Sequence, residues 1–196
     1  MKGLFIKDLE IMKGQALYSI FLLFVSAYLY VLSPYTAVMY LAFILSTNAI
    51  GTISYDQFDN GMPFLFSLPS TKKQYVQEKF LLCLICCVTG WLIGVVGCSV
   101  AMMIQNKFTM DFIFVSLCCL PIVYTMVCFQ IPFRLKYDAE KSKIATILLT
   151  ICICVIFSIV PLIQFNLSII VISIVMVLVF IGLYKTSFNV IKNKEY

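Results

Sequence analysis

Cys83 and Cys86 have the spacing of a redox motif, and they belong to a set of nine cysteines. All nine lie inside long apolar stretches that carry no charged residue. A redox pair normally sits at a strand-turn-helix junction, and structural disulfides normally lie in extracellular loops. Neither context is present, so the sequence predicts that these cysteines pack as small apolar side chains.

The chain contains no histidine. This excludes Ser-His and Cys-His nucleophilic catalysis and histidine-zinc sites. No GxxxxGK stretch is present either, so the chain has no phosphate loop with which to bind ATP. The sequence therefore predicts no catalytic residue, no metal ligand and no cofactor held by this chain.

Composition indicates a lipid environment. Hydrophobic residues make up 62% of the chain and charged residues only 12%, with a mean hydropathy of +1.03. A soluble domain carries about 25% charged residues. In lipid, backbone groups must be satisfied within the segment itself, so long apolar runs of this kind predict helices. We therefore expect an all-α membrane protein with one domain over residues 1–196.

The distribution of charge divides the chain into six spans. Four windows have no charged residue, and one crossing takes about 20 apolar residues. The first and last windows are about twice that length, and each is interrupted near its middle, at Ser33 and Pro34 and at 161–166. The predicted spans are 15–33, 35–54, 80–104, 112–133, 144–161 and 167–184.

Orientation follows from the basic residues. Of 14 Lys and Arg residues, only Lys107 falls on one side of the predicted topology, where Asp111 offsets it. The positive-inside rule then places both termini in the cytoplasm, together with loops 55–79 and 134–143. The same rule accounts for the net charge of +5, so no nucleic-acid partner is expected. No Asp, Glu, Lys or Arg lies within a predicted span, which argues against an ion-coupled carrier or a proton relay.

The first thirteen residues have the pattern of a helix lying in the membrane interface. Leu4, Phe5, Leu9 and Met12 share one face at helical spacing. The charged side chains are assigned to the other faces: Lys7, Asp8, Glu10 and Lys13. The alternative is a charged flank that only precedes the first span.

The loop at 55–79 is too apolar for a solvated linker. Its apolar residues lie between acidic residues (Asp56, Asp59) and basic ones (Lys72, Lys73), and they are Phe58, Met62, Phe64, Leu65, Phe66 and Leu68. Exposed apolar groups at this density are typical of a contact surface. Thr71 and Gln74 have the spacing of a capping box, which predicts a helix that starts there and continues into the third span.

These segments resemble the short type-two exporter permeases of the ATP-binding cassette (ABC) superfamily. The matching residues are Met1-Lys2-Gly3-Leu4, Lys7-Asp8-Leu9, Tyr55-Asp56, Gly61, the run from Ser67 to Val76, and Lys79. In that family an acidic residue and a glycine precede Leu-Pro, a β-branched residue, Ser or Thr, Arg and Lys. Here Ser70 stands at the β-branched position and Lys72 at the Arg position. The family includes exporters of amphipathic peptide toxins of the phenol-soluble-modulin kind.

The resemblance implies a six-helix permease subunit in the cytoplasmic membrane, without enzymatic activity of its own. It implies pairing with a second permease copy or a paralogue, and with separately encoded cassette ATPase subunits that bind Mg-ATP. It further implies that the 55–79 loop is the coupling element seated on the ATPase. Its candidate residues are Asp56, Phe58, Phe64, Leu65, Phe66, Leu68, Thr71, Lys72 and Lys73. Because the spans carry no charge, we expect an apolar or amphipathic cargo such as a peptide.

Two further groups have two interpretations each. Thr47, Asn48 and Thr52 either face a translocation path or form hydrogen bonds between helices. A small-residue stripe in the third span either packs inside the subunit or contacts a second copy, and it consists of Gly90, Gly94 and Gly97. Two alternatives to an exporter stay open: a membrane sensor or immunity protein without transport activity, and a standalone channel or carrier.

Overall fold

The computed structural model describes residues 2–14, 16–57, 61–67, 71–137 and 168–192. These residues form only α-helices, which confirms the all-α prediction for this part of the chain. The helices are α1 (Lys2–Gly14), α2 (Ala16–Leu32), α3 (Pro34–Asp56), α4 (Gly61–Ser67), α5 (Lys72–Ile104), α6 (Met110–Cys128), α7 (Gln130–Lys136) and α8 (Ser168–Lys192). The span predicted at 144–161 lies outside the described residues.

Among these helices, three segments are long and apolar enough to cross a membrane: α3, α5 and the stretch Met110–Lys136 formed by α6 and α7. They coincide with the spans predicted at 35–54, 80–104 and 112–133. The helix α2 has 17 residues and falls on the span predicted at 15–33, and α8 begins one residue into the span predicted at 167–184. The protein is therefore membrane-embedded and helical.

Local signals set two of the helix starts. The Ser33 hydroxyl accepts a hydrogen bond from the Thr36 backbone N–H at 3.2 Å, and Pro34 occupies the first turn of α3. At the start of α5, Thr71 Oγ1 accepts from the Gln74 N–H at 3.2 Å, and Gln74 Oε1 accepts from the Thr71 N–H at 3.2 Å. The predicted capping box is confirmed.

One loop boundary was predicted wrongly. Pro132 has no N–H to bond the carbonyl of Cys128, and α6 ends at that cysteine. The chain turns at Phe129 and continues as α7 to Lys136. Arg134 is therefore part of a helix and is buried, whereas the sequence placed it at the start of a cytoplasmic loop.

The helix α3 lies at the centre, where it packs along α5 and contacts α1, α2, α6 and α7. Its contact with α5 is close because two glycines of α5 lie against its backbone. A Cβ added at Gly90 would lie 2.8 Å from the Leu41 carbonyl oxygen, and one at Gly94 would lie 3.0 Å from Val38 Cα. A Cβ at Gly97 would meet no atom within 4 Å.

Candidate functional site

Four charged side chains from three helices meet where α3 ends and α5 begins. Lys7 and Asp8 come from α1, Asp56 from the last turn of α3, and Lys79 from the second turn of α5; we call them the ion cluster. Lys79 Nζ contacts the Asp8 carboxylate and lies 3.0 Å from Asp56 Oδ2. Lys7 Nζ contacts Asp56 and lies 3.2 Å from Asp8 Oδ1. Each cation therefore bridges both carboxylates.

Two neutral side chains add hydrogen bonds to the ion cluster. The Tyr75 hydroxyl donates to Asp56 Oδ2 at 2.9 Å, and the tyrosine is fully buried. Lys79 Nζ donates to Thr52 Oγ1 at 2.9 Å, while the same hydroxyl lies 3.2 Å from Asp8 Oδ2. These bonds join α1, α3 and α5 through side chains alone.

Burial makes this pairing necessary. The side chains of Asp8, Asp56 and Lys79 are 0%, 5% and 2% exposed. Removing one partner from such a buried pair typically costs about 3–5 kcal/mol, because a charge remains without compensation. Burial by itself would lower the pKa of Lys7. The hydrogen bond and charge of Asp56, together with the charge of Asp8, outweigh this effect and hold the pKa of Lys7 above its ordinary value.

The amphipathic face of α1 differs from the predicted one. Asp8 was assigned to a polar face, yet it is fully buried. Phe5 and Met12 pack against the α3 and α5 core, while Leu9, assigned to the same apolar face, is exposed. The sequence did carry a signal for this arrangement, because Asp8 lies four residues from both Leu4 and Met12 and hence on their face.

The predicted coupling loop contains the short helix α4. Phe64 on this helix is 70% exposed, whereas Leu65 and Met62 are buried at 6% and 3%. The Phe66 ring packs edge-on against the Tyr75 ring at 5.7 Å between centroids. The expectation that these apolar residues are exposed as a group is therefore wrong for Met62 and Leu65. Phe58 and Leu68 lie outside the described residues.

A glycine joins α4 to the ion cluster. A Cβ added at Gly61 would lie 2.7 Å from the backbone oxygen of Asp56, so only glycine fits without movement at this position. Phe66 contacts Tyr75, whose hydroxyl bonds Asp56. One end of α4 therefore lies against the backbone of Asp56, and the other contacts Tyr75, which bonds the Asp56 side chain.

The basic residues of the loop occupy the first turn of α5. Thr71 is the exposed N-cap, Lys73 is exposed, and Lys72 is half-buried. None of the three belongs to the ion cluster. The basic residue that does belong to it is Lys79, which the sequence treated as one more cytoplasmic charge.

The candidate pathway residues of α3 divide between two environments. Thr47 donates to the carbonyl of Phe43 in its own helix at 2.8 Å. Thr52 is buried in the ion cluster, as described above. Asn48 is half-buried. The polarity of Thr52 thus serves contacts between helices.

Arg134 is a buried charged side chain outside the ion cluster, and it also bonds α3. Arg134 donates from Nη1 to the carbonyl of Ile50 at 3.2 Å and to Ser54 Oγ at 3.1 Å. These bonds tie α7 to the last turns of α3. Arg134 of α7 and Lys79 of α5 therefore each reach α3 with a basic side chain.

Residues 3–193 match the model of the family described as ABC-2 family transporter protein. The match covers nearly the whole chain. The chain belongs to the ABC-2 transporter family. This ABC-2 protein is thus a membrane permease subunit of an ABC transporter, and the family as a whole works with an ABC ATPase. No curated protein and no solved structure matches the chain.

The ion cluster bonds α1, α3 and α5 side by side. Its members cannot separate individually without leaving buried charges unpaired.

Proposed function

We propose that this ABC-2 permease has six spans with both termini in the cytoplasm, and that α4 is the element that contacts the ATPase. The observation that supports the ATPase contact is the contrast within α4, where Phe64 is 70% exposed while Met62 and Leu65 are buried. Aromatic side chains such as Phe are enriched at protein interfaces, and here one is displayed on a short helix that two buried apolar residues anchor. Lys72 and Lys73 supply basic residues at its rim.

The ion cluster supports a role in transmission. The helix α4 reaches it indirectly, because Gly61 lies against the Asp56 backbone and Phe66 packs on Tyr75, whose hydroxyl bonds Asp56. A displacement of α4 by the ATPase would reach Asp56, and through Asp56 it would reach α1 and α5 together. Mg-ATP is bound by the partner ATPase in this proposal, and the permease pairs with a second copy or a paralogue in the cytoplasmic membrane.

The proposed cargo is apolar or amphipathic, such as a helical peptide, and it is exported. The support is the scarcity of charge in the apolar stretches of α2, α3, α5, α6 and α8, because an unpaired polar group in lipid costs several kcal/mol. A strongly charged or sugar-rich cargo would need fixed charges along its path.

Co-purification tests the contact with the ATPase. The permease is co-expressed with a cassette ATPase encoded by a neighbouring gene and captured through a tag on the permease. We expect Phe64→Ala to lower the captured ATPase strongly and Lys73→Ala to lower it only slightly, since rim charges contribute less to affinity than buried aromatics. Loss of the complex on Lys73→Ala with retention on Phe64→Ala would contradict the assignment.

ATP hydrolysis by the reconstituted complex tests the cargo. Amphipathic helical peptides should change the rate, and hydrophilic sugars should leave it unchanged. Stimulation by a soluble sugar or ion, with no effect of any amphipathic peptide, would refute the cargo assignment while leaving the permease assignment in place.

A further inference from the structure

Glu78 is a buried carboxyl group beside the ion cluster, and on α5 it lies before the span predicted at 80–104. Its side chain is 1% exposed, and among the described residues neither of its oxygens accepts a hydrogen bond from an N–H or hydroxyl group. Lys79 Nζ is 3.8 Å from Glu78 Oε2, beyond hydrogen-bond distance. The three donors of that ammonium are directed to Asp8, Asp56 and Thr52, so none is left for Glu78.

The hydrogen bond that Glu78 does make is to the Asp8 carboxyl group of α1. Ionised carboxylates only accept hydrogen bonds, so a bond between two carboxyl groups requires a proton on one of them. Two carboxylates that share a site also repel each other, which favours the protonated form of one member. The contact therefore indicates a carboxylic acid that donates to a carboxylate.

The charges of the buried groups lead to the same result. The ion cluster has two cations, Lys7 and Lys79, and two carboxylates, Asp8 and Asp56. Glu78 adds a third carboxyl group, so ionisation of all five side chains would leave one negative charge without a partner. An uncompensated buried charge is costly, and a buried acid takes up a proton instead. One proton makes the whole group neutral.

We propose that Asp8 and Glu78 hold one proton between them, and that this proton joins α1 to α5. Without the proton, two like charges face each other across the contact between these helices. Loss of the proton therefore weakens the attachment of α1 to the bundle. The proton site goes beyond the proposed function, because it requires neither the ATPase nor a cargo.

The charged groups around Glu78 set the pH range of this effect. Burial raises the pKa of Glu78 to about 7, since the charge of Asp8 and the hydrogen bond to it add to the rise while the charge of Lys79 opposes it. Against burial, the charge of Lys79 and the hydrogen bond from Lys7 hold the pKa of Asp56 on α3 below its ordinary value. Asp56 therefore stays ionised across the range in which Glu78 titrates.

Three tyrosines are the other titratable side chains near Glu78 in the described part of the chain. Phenols ionise near pH 10, so they stay neutral in this range. They are Tyr75 on α5, and Tyr124 on α6 and Tyr184 on α8, which line a cavity beside this part of α5.

The raised pKa of Glu78 makes the stability of the fold depend on pH. The ordinary pKa of 4.5 applies to the unfolded chain. Between 4.5 and about 7 the folded chain binds more protons at this site than the unfolded chain does. The stabilisation is therefore complete below 4.5 and is lost as the pH rises through about 7. Within this window the equilibrium constant for unfolding should rise by up to about tenfold per pH unit.

Infrared spectroscopy of the full chain in dodecyl maltoside micelles detects the proton directly. A protonated carboxyl group has a C=O band that carboxylates lack, and this detergent contains no carbonyl group. We expect the band at about pH 6, where ordinary carboxyl groups are ionised, and its loss at about pH 8. The measurement uses the unaltered chain, so it does not depend on the folding of any variant. Absence of the band at the lower pH would overturn the proposal.

Variants then assign the band. Glu78→Gln and Asp8→Asn should each abolish it, because each leaves two carboxylates for the two cations and no need for a proton. Glu10→Gln is the matched control and should keep the band, since Glu10 is 70% exposed on α1. A band that persists in a folded Glu78→Gln chain would place the proton elsewhere and refute the proposal.

Unfolding in mixed micelles measures the effect on stability. The unfolding constant of the parent chain should rise roughly tenfold to a hundredfold between about pH 5 and about pH 8. That of Glu78→Gln should change far less, because glutamine does not titrate. The measured quantity is the dependence on pH, so a constant loss of stability in the variant does not affect the comparison. Equal pH dependence in the two chains would show that Glu78 does not hold the proton.

Discussion

Lys79 of α5 contacts Asp8 of α1 although 71 positions separate them in the chain. The contact fixes the amino-terminal helix against the helix that follows α4. Together with the packing of Phe5 and Met12, it makes α1 part of the folded bundle and not only a charged flank.

Loss of Lys79 should destabilise the permease strongly. Lys79→Met leaves Asp8 and Asp56 buried with a single cation, at a cost of roughly 3–5 kcal/mol. Adding Asp8→Asn to this variant should recover part of the loss, because one unpaired charge is removed. The free energy of unfolding in mixed micelles measures both effects.

Lys73→Met is the matched control, because Lys73 is exposed one turn and a half earlier on the same helix. Its effect should stay within about 0.5 kcal/mol. Equal destabilisation by Lys73→Met and Lys79→Met would show that the ion cluster does not contribute to stability.

Gly90 and Gly97 should respond in opposite ways to alanine. Gly90→Ala places a Cβ 2.8 Å from the Leu41 carbonyl oxygen and must push α3 away from α5. Gly97→Ala meets nothing within 4 Å and gains helix propensity of about 0.5–1 kcal/mol. The unfolding midpoints of the two variants should therefore lie on opposite sides of that of the parent chain. A destabilised Gly97→Ala would indicate that another helix covers this glycine.

Tyr75→Phe should separate transmission from assembly. The substitution removes the hydroxyl that donates to Asp56 and keeps the ring that packs on Phe66. We expect cargo-dependent ATP hydrolysis to fall while the ATPase still co-purifies. Phe64→Ala should reduce both. Normal cargo-dependent hydrolysis in Tyr75→Phe would exclude this hydrogen bond from transmission.

Single cysteines test the orientation. Lys107→Cys should react with an impermeant maleimide in intact cells, and Lys192→Cys should react only after the membrane is opened. The parent chain gives the background from its own cysteines. Labelling of Lys192→Cys in intact cells would reverse or refute the predicted topology.

Leu65→Ala should damage the fold where Phe64→Ala does not. Leu65 is 6% exposed and belongs to the main core, so its truncation should cost about 2–5 kcal/mol. Phe64 is 70% exposed, and its truncation should leave the unfolding midpoint unchanged. The two adjacent variants, measured by thermal unfolding of the permease alone, distinguish a structural from a binding residue.

The sequence by itself determined where the long apolar helices among the described residues lie. A run of apolar residues in lipid has to satisfy its backbone internally, so the runs at 35–54, 80–104 and 112–133 predict α3, α5 and α6 without knowledge of their neighbours. Short-range chemistry was equally decisive at Ser33, Thr71 and Gln74, because a cap bonds residues only three positions apart. The family resemblance was visible for the same reason, since its motif is local.

Only the tertiary structure decided which charges meet. Asp56 and Lys79 look like ordinary flanking charges in the sequence, and although Asp8 lies on the face of Leu4 and Met12, nothing local shows which charges it meets. Their pairing depends on how far α1, α3 and α5 are rotated about their axes, and the packing of all three helices sets that rotation together. The same packing turned Leu65 inward and left Phe64 exposed, a difference of one residue in a seven-residue helix that hydrophobicity alone cannot resolve.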